Sequence, residues 1–100
     1  VPNNYRDGSV WSDELELKCF LIFKQAEMQN FKRGLVTELC RKLAKKENLD
    51  EGTLKAKVGN YKSLAGYTRP TNASTASILV YEQYKDHTIE QLESLLRGNS

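Results

Sequence analysis

Between Asp50 and Leu64, small side chains, one amide and several ammonium groups recur at a spacing that has a chemical meaning. With Leu54 at the centre of a buried side and about 100° per residue, Gly52, Ala56, Gly59 and Ser63 fall opposite. Lys55 and Lys62 flank that stripe on one side, and Thr53 and Asn60 lie toward the other. Two glycines within a helix cost roughly 1 kcal/mol each relative to alanine. Close approach of the backbone to a partner is one physical reason to keep them. A narrow stripe edged by lysines suits a polyanion: the stripe lets the helix sink into a major groove. Asn60 presents the donor–acceptor pair that matches an adenine edge, and Lys55 and Lys62 reach guanine or phosphate. Two plainer accounts compete. Small residues at helical spacing also let two helices pack closely, and lysines on an outer face are usually just solvated. Gly52 also fits a turn, and Lys57, nearer the buried edge, fits a snorkelling side chain.

The charge distribution sharpens the electrostatic reading. The formal net charge is +2, but residues 31–70 hold ten Lys/Arg against four Asp/Glu, whereas the segments on either side are each net negative by two. Arg41, Lys42, Lys45 and Lys46 would meet backbone phosphates, with Lys32, Arg33 and Arg69 extending the footprint. Tyr67 suits either stacking on a base or sugar or packing over the edge of the core.

Catalytic chemistry finds little support in the same residues. No nucleophile–base pair, phosphate-cradling glycine loop or carboxylate cluster at ligand spacing is visible, and Asp13, Glu14 and Glu16 read as helix-start acids. His87 is the single histidine and precedes a helix cap, so a Cys/His zinc site is not expected. Cys19 and Cys40 fall on apolar stripes without close spacing and read as reduced core residues of an intracellular protein. No cofactor is expected.

The elements that position these residues are all helical. Residues 1–10 form a loosely held, flexible arm, and residues 11–98 one domain. Ser12 caps a first helix near 13–28, with Trp11 as a core anchor beneath it. Leu15, Leu17, Cys19, Phe20, Leu21, Ile22, Phe23 and Ala26 make that helix apolar on most sides, hence central. After Gly34, a second helix near 35–47 buries Leu35, Val36, Leu39, Cys40, Leu43 and Ala44, with Thr37, Glu38 and the four cations opposite. Asn48-Leu49-Asp50 turns the chain, and Asp50 caps a third helix near 51–62 with Leu54, Val58 and Tyr61 inward. Thr71 or Asn72 caps a fourth near 73–86, with Ala76, Leu79, Val80 and Tyr84 inward. Thr88 and Gln91 have capping-box spacing for a fifth near 89–97, with Ile89, Leu92, Leu95 and Leu96 on one face and Gly98 ending it. The expected fold is an all-α bundle of about five helices containing a helix-turn-helix.

With 100 residues, 39% hydrophobic and 28% charged, the chain is an ordinary globular domain with room for one modest core. No apolar run approaches the roughly 20 residues of a membrane span, and no signal peptide is visible. Val1 at the start suggests a domain excised from something longer.

Two resemblances meet at these residues. Trp11-Ser12-x-Glu14-Leu15 ahead of two helices joined by a turn is similar to the tryptophan-led opening of Myb/SANT-type three-helix domains. Gly52-Thr53-Leu54-x-x-Lys57-Val58-x-Asn60-Tyr61-x-Ser63-Leu64 resembles a stretch in the N-terminal helical domains of bacterial and phage HNH restriction-type endonucleases, where it follows a helix ending in a turn. Lys57, Asn60, Tyr61, Ser63 and Leu64 occupy the matching positions, and Thr71-Asn72-Ala73-Ser74 also looks like that family's. The likeness runs in order over about residues 11–80, with a short specific part. Leu49-Asp50 stands where the family has Arg-Thr, and Ala65-Gly66 where Asp-Pro is common. The resemblance implies a double-stranded DNA recognition domain of a larger DNA-processing protein in the cytoplasm of a bacterial or phage-infected cell. It does not imply cleavage by this chain, because an HNH site needs two histidines near a metal. A replication initiator of a mobile element is an alternative parent. A helical protein-interaction domain with an acidic partner is the alternative of a different class.

Overall fold

A computed structural model describes residues 10–70 and 72–98, and among them every regular element is a helix. The order is α1 (Asp13–Met28), α2 (Leu35–Glu47), α3 (Glu51–Leu64), α4 (Thr75–Tyr84) and α5 (Ile89–Gly98). The expected arm lies almost wholly outside the described residues; Val10, within them, is exposed.

α1 is the central rod. It packs against α2, α3, α4 and α5, as a helix apolar on most sides must. Leu15, Leu17, Cys19, Phe20, Ile22, Phe23 and Ala26 are buried along it, with Phe20 set edge-on to Tyr61 at 5.1 Å and to Tyr81 at 6.1 Å. Ser12 starts the helix, its Oγ accepting from the Leu15 N–H at 3.1 Å. Trp11 is partly buried against the core, as an anchor at a chain entry should be.

α2 and α3 pack on each other across the three-residue turn. Asn48 closes α2 in the left-handed conformation at φ 57°, which an asparagine tolerates better than most residues. Asp50 then opens α3, its carboxylate accepting from the Thr53 N–H at 3.0 Å. Cys40 and Ala44 of α2, and Leu54, Val58 and Tyr61 of α3, face the core. α3 continues two residues further than expected, to Leu64.

α4 departs most from its sequence pattern. It is shorter at both ends and is capped by Ser74, whose Oγ accepts from Ser77 N–H at 3.2 Å, rather than by Asn72; Thr71 lies outside the described residues. Leu79, expected inward, is 52% exposed next to Ile78. The inward line is instead Ser77, Val80, Tyr81 and Tyr84, at helical spacings of three, four and seven. The helix is rolled so that a hydroxyl, not Leu79, meets the polar groups of α1 and α3. α5 follows with the anticipated reciprocal cap, Thr88 N–H to Gln91 Oε1 at 2.8 Å and Gln91 N–H to Thr88 Oγ1 at 3.1 Å. Leu92 is its fully buried side chain.

Candidate nucleic-acid interface

On the outer side of α3, Gly52 and Ala56 are exposed and Gly59 and Ser63 are half-buried, so among the described residues no other helix is laid along the whole of the small stripe. A Cβ built on Gly59 would meet nothing within 4 Å. Gly52 differs: a Cβ there would stand 3.1 Å from Asp50 Oδ2, so this glycine makes room for the capping carboxylate. Of the two helix-weakening glycines, only Gly59 lacks a reason inside the fold.

Cations of α2, α3 and the segments that flank them lie near that stripe. Arg41 of α2 reaches Glu51 at the start of α3 at 3.3 Å, which places this edge of α2 beside the N-terminal turn of α3. Lys45 follows one turn beyond Arg41 on the same edge. Lys55, one turn beyond Glu51, is exposed. Two turns further along α3, Lys62 places its ammonium 4.6 Å from the centre of the Phe31 ring, and Lys32 and Arg33 follow Phe31 directly. Arg69, beyond the end of α3, is exposed.

Not every expected contact residue is equally disposed to meet a ligand. Among the described residues Lys32, Arg33, Lys45, Lys46 and Lys55 form no ion pair and all are exposed. Lys42 pairs with Glu38 at 3.5 Å on its own helix, and Arg41 with Glu51; such exposed pairs contribute little and exchange readily. The Thr53 hydroxyl is engaged with Asp50 Oδ2 at 3.2 Å, so it belongs to the cap. Asn60 is half-buried beside the stripe.

A second group of polar residues was not legible as a group from the sequence. Glu16, 1% exposed, accepts from Lys57 Nζ at 2.8 Å, from the Tyr61 hydroxyl, and from Ser77 Oγ at 3.2 Å. Lys57, 7% exposed, also donates to Ser77 Oγ at 2.7 Å and stands 4.2 Å from the centre of the Trp11 ring. Burial first, and then Glu16, hold the Tyr61 hydroxyl far above its ordinary value. Glu16 is therefore not merely a helix-start acid, and Lys57 does not snorkel to solvent. The two close a buried polar junction of α1, α3 and α4 in which, among the described residues, no buried side-chain nitrogen or oxygen lacks a partner. The available signal was position: Glu16 lies three, four and seven residues before Cys19, Phe20 and Phe23, on the buried face, and Lys57 lies four before Tyr61.

The remaining reactive groups are quiet. Burial raises the Cys19 thiol to about 12 and the Cys40 thiol to about 11, so both are poor nucleophiles. Among the described residues no three of His, Cys, Asp or Glu are placed to hold a metal ion. His87 sets its ring against Tyr84 at 5.0 Å. No described helix is long and apolar enough to cross a membrane.

No protein-family model, curated protein or solved structure matches this chain.

Proposed function

We propose that this chain is a double-stranded DNA-binding domain of a larger DNA-processing protein. α2 and α3 act as its helix-turn-helix: α3 enters the major groove, and the basic edge of α2 lies along the phosphates. The observation that carries the proposal is the room at Gly59, where a Cβ would meet nothing within 4 Å, on a stripe bordered by Lys55 and Lys62. A helix about 21 Å long, at 1.5 Å per residue, presents enough length to cross the groove. The free ammonium groups supply the sequence-independent share of affinity, through counterion release. Asn60 supplies base discrimination.

Three variants separate these roles in mobility-shift or anisotropy titrations. Replacing Lys45 and Lys46 together by alanine weakens binding to every duplex and lowers the salt slope by about two, at roughly 0.9 for each phosphate no longer neutralised. Asn60→Ala narrows the gap between preferred and other sequences, by about 1–3 kcal/mol for one bidentate contact. A Cβ at Gly59 meets nothing within 4 Å, so Gly59→Leu should melt no lower than the wild type, yet remove binding by filling the stripe. Wild-type affinity in Gly59→Leu would take α3 out of the groove. No shift with any short duplex at low salt would leave the interaction-domain reading, with an acidic protein partner on the same cations.

A further inference from the structure

One aromatic feature of the basic edge is not used by duplex binding. Tyr67 follows α3 and is 52% exposed, yet it is not loose. Its hydroxyl donates to Glu27 Oε2 at 2.7 Å, and Lys24 stands 3.5 Å from that carboxylate. Its ring meets Phe31 at 4.8 Å in an edge-to-face contact, and its backbone N–H donates to Lys62 C=O at 2.9 Å. Phe31 is itself held in the left-handed region at φ 54°, a conformation costly for a bulky residue. Its ring is thereby turned toward Phe23, Tyr67 and the Lys62 ammonium. Lys32, Arg33 and Arg69 are exposed within two residues of one ring or the other.

An exposed ring fixed in place by a hydrogen bond and an aromatic neighbour, with cations around it, is what stacking of a nucleobase requires. The ordering cost is already met in the free protein. Bases inside a duplex are stacked on both faces and offer none to the ring, which takes an unpaired base instead. Its position is apt. Lys62, whose ammonium meets the Phe31 ring, lies roughly one helical turn beyond Gly59 on α3.

We infer that the Tyr67–Phe31 pair stacks the first unpaired base of a DNA strand leaving a duplex held by α3, so that this domain prefers junctions of double- and single-stranded DNA. This rests on the duplex-binding proposal above and adds the class of DNA to it.

The test compares anisotropy titrations of one labelled duplex, blunt or extended by four unpaired nucleotides on either strand, with the wild type and three variants. Wild type should bind one of the extended forms roughly fivefold or more tightly than the blunt form, as expected for one base on an aromatic ring. Tyr67→Ala and Tyr67→Leu should lose that preference while keeping wild-type affinity for the blunt duplex; the leucine retains apolar cover over Phe31 but has no π face. Tyr67→Phe, which loses only the hydroxyl, should keep the preference. Equal wild-type binding to blunt and extended forms overturns the inference and leaves duplex binding standing. An equal loss for both forms in Tyr67→Leu also overturns it. No wild-type binding to any form overturns both proposals.

Discussion

Glu16 and Lys57 are each half of a charge pair that the other makes tolerable. Either charge alone in that setting would have lost water without gaining an opposite charge. Breaking a buried pair by removing one member typically costs about 3–5 kcal/mol, whereas replacing both by apolar groups of similar volume is often close to neutral. Urea denaturation, followed by the fluorescence of Trp11, the single tryptophan, should show that loss for Glu16→Ala. The double variant Glu16→Leu/Lys57→Met should recover a large part of it. If the single and double variants lose the same stability, the pair is not coupled as its geometry indicates. Lys57 and Tyr61 both point inward and hold α3 against α1 and α4, whereas Asn60 and Ser63 lie beside or on the outer stripe.

Among the helices, α3 combines a strong start with a weak middle. Asp50 caps it by accepting two hydrogen bonds from Thr53, and Gly59 interrupts it where a Cβ would meet nothing within 4 Å. Gly59→Ala should therefore stabilise the domain by about 1 kcal/mol, the difference in helix propensity, and raise its melting temperature by several degrees. A lower melting temperature would mean that the position is more crowded than the structure shows. A fold that leaves this gain unused at an open position is consistent with a partner that must come close to the backbone. α2 shows the complementary arrangement: its apolar line is half-covered by neighbours, and the opposite side carries cations with few carboxylates beside them.

Across the bundle, the central position of α1 makes stability sensitive to alkaline pH. Cys19 lies fully buried on that rod, its thiol raised from an ordinary 9.0 to about 12 by burial and then by the charges of its neighbours. Tyr61, against the same rod, is shifted in the same direction. The unfolded chain releases these protons first. The stability that they contribute is thus complete below pH 9.0 and is lost as the pH rises through the folded value near 12. Melting temperature should stay level up to about pH 9 and then fall, and a thiol-specific alkylating reagent at pH 8 should label Cys19 and Cys40 only when denaturant is present. Rapid labelling of both thiols in the native protein would contradict their burial.

Much of the architecture was legible in the chain itself, because local rules decide it. Ser12, Asp50 and the Thr88–Gln91 pair could be recognised as caps since a cap reaches only three residues along the backbone. Apolar spacing identified five helices and the central one among them. The charge contrast between residues 31–70 and their flanks is a property of composition alone. What could not be read was decided by contacts between distant segments. Glu16, Lys57, Tyr61 and Ser77 meet across separations of 20 to 61 residues. No periodicity within one helix reveals that a buried carboxylate will find an ammonium on another. The roll of α4 follows from the same junction, because Ser77 must reach Glu16 and Lys57, and Leu79 is left facing outward as a result. Whether the stripe on α3 would be covered was likewise undecided by spacing, since a groove and a neighbouring helix ask for the same small residues. Among the described residues the other helices leave room there: Gly52 and Ala56 are exposed, and a Cβ at Gly59 would meet nothing within 4 Å.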